Sequence, residues 1–234
     1  MKIAMWSGPR NLSTAMMYAF AARGDCAVMD EPFYGAYLAR SGSAHPMADA
    51  VIAAHETDPD RIAAACAAQV PEPHLHRYMK HMPHHMLPDF PLDWAGDCVH
   101  AHLIRHPARV LASYAAKHED VSHDEIGFAR QIAFFEMFPG PVIDSADIRR
   151  DPAGMLQRLC AEIGLPFTDR MLSWPAGPKA CDGAWAPHWY NAVHLSTGFA
   201  SAEGPLPPVA PEHADLHARA LPVYEALAAR AIRP

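Results

Sequence analysis

Nowhere in this 234-residue chain does a glycine precede a lysine. The Gly-Lys-Ser/Thr end of a Walker A loop is therefore missing, and nucleoside triphosphate hydrolysis by that device is not expected. Long apolar runs are also missing: none approaches the ~18 residues that cross a bilayer. Lys2 is followed by only a few apolar residues before Ser7-Gly8-Pro9, which is no signal-peptide pattern, so the expected address is cytoplasmic. Cysteine is sparse. The five residues Cys26, Cys66, Cys98, Cys160 and Cys181 form no CxxC pair and are odd in number, which favours reduced thiols over a disulfide framework. Positive charge is in deficit, with 19 Lys and Arg against 26 Asp and Glu; the formal charge of −7 argues against non-specific nucleic-acid binding. No internal repeat is present.

What is there suffices for a packed domain. Half of the residues are hydrophobic (50%) and 19% are charged, which excludes global disorder. The length fits one domain over residues 1–234. Apolar runs at 2–6, 27–29, 75–79, 99–104 and 141–143 read as strands. Between them lie helical patterns: Leu12, Ala15, Met16, Ala19 and Phe20 on one face, an Ala-rich region over 46–70, a helix from Pro107, and one over 124–138. Asp58-Pro59 divides the Ala-rich region, and Asp151-Pro152 opens a helix stopped by Gly164 and Pro166. The segments 83–94 and 200–211 read as loops, and 213–232 as a last helix kinked at Pro222. Strands alternating with helices predict an α/β, three-layer, P-loop-like domain with a central parallel sheet flanked by helices.

Two segments carry chemistry. The first is Ser7-Gly8-Pro9-Arg10-Asn11-Leu12-Ser13-Thr14, a strand–loop–helix junction with a cation and two hydroxyls. Such a junction aims backbone N–H groups at one point, where an anion meets the positive end of the helix dipole. The second is Arg105-His106-Pro107 with Ser113, a cation at a strand's carboxyl end and a serine about two turns into the next helix. Strand carboxyl ends of a parallel sheet share one crevice. Alone, each segment also suits a plain βα turn or a surface ion pair.

Together, these segments resemble the sulfotransferase family, whose donor is 3′-phosphoadenosine 5′-phosphosulfate. Residues 7–14 look like its 5′-phosphosulfate loop, with Leu12 where a glycine is usual, and Arg105, Pro107 and Ser113 look like its 3′-phosphate motif. Residues 142–148, Asp151-Pro152, 159–167 and Gly183-Ala184-Trp185 resemble later family segments. The resemblance implies a sulfuryl transfer to a hydroxyl or amine of a small-molecule acceptor, with no metal. It implies donor binding by Ser7, Gly8, Pro9, Arg10, Asn11, Leu12, Ser13, Thr14, Arg105 and Ser113, and a catalytic role for Arg10. It offers two general bases: Glu31 in Asp30-Glu31-Pro32, similar to the glutamate of some bacterial members, and His81 in Lys80-His81-Met82-Pro83, similar to the histidine of the cytosolic branch. Glu31 is preferred because it should end a strand close to the loop.

His81, His84 and His85 have spacing that a helix could turn toward zinc, but Pro83 and Pro88 break that helix and no HExxH accompanies them. The acceptor pocket is expected from Phe33, Tyr34, Tyr37, residues 81–94 and residues 185–190. Neither a nucleic-acid nor a membrane partner is expected, and the oligomeric state stays open. A phosphotransferase with an unusual loop, or a non-catalytic nucleotide-binding protein of the same fold, are the alternative readings.

Overall fold

The computed structural model describes residues 1–116, 122 and 124–234. Its centre is a sheet of five parallel strands: β1 (Lys2–Ser7), β2 (Cys26–Asp30), β3 (His76–His81), β4 (Val99–Ile104) and β5 (Val142–Asp144). They lie in the order β2-β3-β1-β4-β5. β1 is a near-continuous apolar run because it is central: Ile3, Ala4, Met5 and Trp6 are all fully buried. Alternate residues face opposite sides. Ile3 and Met5 join Met16, Phe20, Leu156 and Leu159 on one side, whereas Ala4 and Trp6 join Phe33, Met79, Trp94 and Phe134 on the other.

The helices are α1 (Ser13–Ala22), α2 (Tyr34–Ser41), α3 (Ala48–Ala54), α4 (Pro59–Ala67), α5 (Pro107–Ala115), α6 (Phe128–Met137), α7 (Ser145–Arg150) and α8 (Pro152–Glu162). The short α9 (Ala186–Trp189) and α10 (Asn191–His194) and the long α11 (Ala214–Ala228) complete the set. The proline-initiated helices start as local chemistry dictates. Asp58 accepts from the Asp60 amide at 2.9 Å before α4, and Asp151 accepts from the Gly154 amide at 2.9 Å before α8. His106 Nδ1 accepts from the Ala108 amide at 3.2 Å before α5.

Several boundaries differ from expectation. β3 runs on to His81, because Lys80 and His81 continue the register with Met5 and Trp6 of β1. The helices α2 and α7 were not foreseen; α2 packs on α3, and α7 follows β5 without a break. Helix α6 begins at Phe128, after Gly127 takes a left-handed turn (φ 73°). Pro222 lies inside α11.

β1 and β4 are neighbours, but the connection from β1 leads toward β2 and that from β4 leads toward β5 at the opposite edge. Strand order reverses between them, and a crevice opens at the strands' carboxyl ends. Among the described residues, no helix is long and apolar enough to cross a membrane.

Candidate active site

The crevice holds a pocket of about 290 Å³. Its walls come from the β1–α1 loop, the ends of β2 and β3, the α5 segment, and α9 to α10. The loop is built by two left-handed residues, Arg10 (φ 60°) and Leu12 (φ 73°). Leu12 takes a conformation that favours glycine, at the position where the resembled loop carries one. The turn leaves the first amides of α1 without intrahelical partners, and Leu12, Ser13, Thr14 and Ala15 line the pocket.

The loop residues divide by role. Pro9, Arg10, Leu12, Ser13 and Thr14 line the pocket. Ser7, Gly8 and Asn11 do not. Ser7 Oγ donates to its neighbour's carbonyl at 2.8 Å, and Asn11 Nδ2 donates to Leu103 O at 3.1 Å, lashing the loop to β4. A Cβ on Gly8 would come within 3.2 Å of Asn11 Nδ2, so this position keeps the loop tight.

The two sequence segments meet. Arg10 Nε donates to Ser113 Oγ at 3.0 Å, and Arg105 donates to the Arg10 carbonyl at 2.7 Å. Arg10, Arg105, Ser113 and also Arg149 line the same pocket. Burial and the neighbouring Arg105 cation both lower the Arg10 pKa. Arg105 Nε is buried without a hydrogen-bond partner, a donor whose acceptor an anion can supply.

Glu31 and His81 part company. Glu31 lines the pocket, with a left-handed backbone (φ 40°) at the end of β2. His81 does not line the pocket. It shares a register pair with Trp6 and therefore points to the opposite face of the sheet, where its ring lies 4.7 Å from that of Trp94 and 4.8 Å from that of Trp6. Burial drives the His81 pKa down to about 3. Phe33, just before α2, does not line the pocket either; it packs with Trp6 on the far side of the sheet, beside Trp94 and Phe90 at ring separations of 5.9 and 5.8 Å. His84 and His85, in the turn after β3, line the pocket while His81 does not, and among the described residues no group of three or more His, Cys, Asp and Glu could hold a metal ion. Tyr34, Trp185, Trp189 and Tyr190 do reach the pocket; Tyr37 stacks behind on His85 at 4.8 Å.

The residue missed from sequence is Lys80. It occupies the pocket side of β3, one position before His81, and its ammonium is buried with four partners. It donates to Glu31 Oε1 at 2.6 Å, Tyr190 Oη at 2.6 Å, Asp30 Oδ1 at 3.0 Å and Thr14 Oγ1 at 3.3 Å. Burial opposes its charge, but Asp30 and Glu31 outweigh burial and raise its pKa. For Glu31, burial raises the pKa and Lys80 opposes it; the net direction is upward. His85 Nδ1 stands 3.6 Å from Glu31 Oε2. The available signal was a lysine inside an otherwise buried strand, a placement that demands a charged partner.

Known proteins share the family and the fold. The family model described as a sulfotransferase domain matches residues 1–231. Among solved structures, the sulfotransferase domain from the curacin biosynthetic pathway aligns with a TM-score of 0.52 at 14% identity, covering 93% of this chain and 96% of that one. The sulfotransferase domain from the Synechococcus PCC 7002 olefin synthase aligns with a TM-score of 0.52 at 15% identity, covering 94% of each. Two Arabidopsis thaliana proteins, named branched-chain-amino-acid aminotransferase-like proteins 2 and 1, are each 36% identical over 231 residues. The matches cover 96% of this chain but only 41% of those relatives. The match over residues 1–231, on a chain with this parallel α/β fold, shows that it belongs to the sulfotransferase family.

Proposed function

We propose that the protein moves a sulfuryl group from 3′-phosphoadenosine 5′-phosphosulfate to a hydroxyl or amine of a small-molecule acceptor. The observation that carries this reading is the joining of the two anion motifs: Arg10 bonds Ser113 at 3.0 Å and Arg105 bonds the Arg10 backbone at 2.7 Å, on one pocket. One molecule with anionic groups at two ends can then meet both. The unpartnered Arg105 Nε fits a ligand oxygen.

In this mechanism Arg10 and the first amides of α1 hold the 5′-phosphosulfate oxygens and stabilise charge on the departing phosphate oxygen. Arg105 and Ser113 hold the 3′-phosphate. Glu31 takes the acceptor proton as the acceptor oxygen or nitrogen bonds sulfur and the bond from sulfur to the phosphate oxygen breaks. A raised carboxylate pKa suits that task. Lys80 positions Glu31 and, through Thr14, ties it to the anion loop. Tyr34, Trp185 and Trp189 form the acceptor's apolar wall.

The test is turnover of labelled donor against a panel of alcohols, phenols and amines, with calorimetric titration of adenosine 3′,5′-bisphosphate. Arg105→Ala weakens that titration by roughly 10–150-fold, the loss of a charged hydrogen bond. Equal affinity of the wild type for adenosine 5′-monophosphate overturns the 3′-phosphate site. The 2.6 Å Lys80–Glu31 pair favours a second reading, a nucleotide-binding protein in which Glu31 is structural. In that case no acceptor turns over although the bisphosphate binds.

A further inference from the structure

Beside the pocket, one carboxylate holds three guanidinium groups. Glu203, on the Pro-rich connection before α11, has a side chain 3% exposed. Its Oε1 accepts from Arg105 and from Arg149, the latter at 2.7 Å, and its Oε2 lies 2.8 Å from Arg109 Nε. The arginines also grip the backbone on either side. Arg149 Nε donates to Ser201 O at 2.8 Å, and Arg109 donates to Gly204 O. Residues 201–204 thus form a strap held to the molecule by three guanidinium groups. Burial opposes ionisation of Glu203, but the three guanidiniums outweigh it and hold its pKa below the ordinary carboxylate range.

Three cations against one carboxylate leave two positive charges unbalanced. A dianion balances the cluster better than Glu203 does. Arg105 and Arg149 face both the strap and the pocket, so a phosphate entering the pocket competes with Glu203 for the same N–H donors. Resting on the donor reading above, we propose that Arg149 and Arg109 complete the 3′-phosphate site with Arg105, and that Glu203 occupies it as a tethered competitor which the donor must displace. A displaceable competitor reduces apparent affinity by the fraction of molecules with the site open. It offsets one of the three arginine charges and selects for a ligand carrying two charges at this end.

The test titrates the full chain and Glu203→Gln with adenosine 3′,5′-bisphosphate, adenosine 5′-monophosphate and inorganic phosphate. The proposal expects the variant to bind bisphosphate and inorganic phosphate about tenfold tighter or more, with monophosphate unchanged. It also expects the bisphosphate to speed cleavage of the wild type after Glu203 by a glutamate-specific protease, a readout that needs no variant. If the variant gains for inorganic phosphate but neither protein distinguishes bisphosphate from monophosphate, the displaceable strap stands and the donor reading falls. Unchanged or weaker binding of both phosphate ligands by the variant, with no gain in cleavage of the wild type, overturns the proposal and leaves Glu203 a mere support for Arg105.

Discussion

A lysine buried beside two carboxylates decides what Glu31 can do. Lys80 sits 2.6 Å from Glu31 and 3.0 Å from Asp30, and it is 1% exposed. Removing it strands both acids in a low-dielectric site. Lys80→Met should therefore cost about 3–5 kcal/mol of stability, read as a drop in the urea midpoint. A change below 1 kcal/mol would show that water reaches the pair. Glu31→Gln keeps the shape and removes the proposed base. It should lower kcat ~10²–10⁴-fold while bisphosphate affinity holds. An unchanged kcat would move proton transfer elsewhere, with His85, whose Nδ1 lies 3.6 Å from Glu31, the histidine to test. At this scale the sequence was half legible. Glu31 at a strand end was readable from Asp30-Glu31-Pro32. That Lys80 and not His81 faces the pocket was not, because adjacent strand residues face opposite ways and only the register with Met5 and Trp6 says which side each takes.

Elements here are stopped and started by neighbours as well as by their own residues. Helix α4 ends against β3, where the buried Arg77 donates to the carbonyls of Ala65 (3.0 Å), Ala68 (2.7 Å) and Gln69 (2.7 Å). One side chain satisfies carbonyls that a helix C-terminus otherwise leaves to water, and its charge suits the negative end of the dipole. Arg77→Leu should cost roughly 3 kcal/mol or more, since buried acceptors are left without donors. Thermal unfolding with unchanged Tm would mean that the carbonyls find water. The helix starts at Pro59, Pro107 and Pro152 were legible in sequence, because an acidic or polar cap followed by proline is a local signal. The Arg77 cap was not legible, since its partners lie on another element.

The molecule as a whole carries buried histidines that cannot accept a proton in place. Burial holds His81 and His84 down to about 3, holds His102 to about 4, and pushes His85 well below its ordinary value. Unfolded, each titrates near 6.5. The unfolded chain therefore takes up protons that the folded one refuses. The stability these groups contribute is complete above pH ~6.5 and is lost as pH falls toward 3–4. Each such histidine removes roughly 2 kcal/mol between pH 6.5 and 5. Urea unfolding followed by circular dichroism should show a midpoint falling steeply over that interval. Equal midpoints at pH 7.5 and pH 5 would place these rings in water.

Sequence by itself determined the alternation of strand and helix, the caps, the strand–loop–helix junction over residues 7–14 and the cation at Arg105, since each follows from neighbouring residues in one backbone stretch. It also carried the family resemblance, through two ordered motifs. The tertiary structure alone decided that these motifs share a pocket, that Lys80 and not His81 faces it, and that Glu203 reaches Arg105 from 98 residues away. Local propensity has a range of a few residues, whereas face, register and charge pairing are settled when distant segments compete for the same buried space.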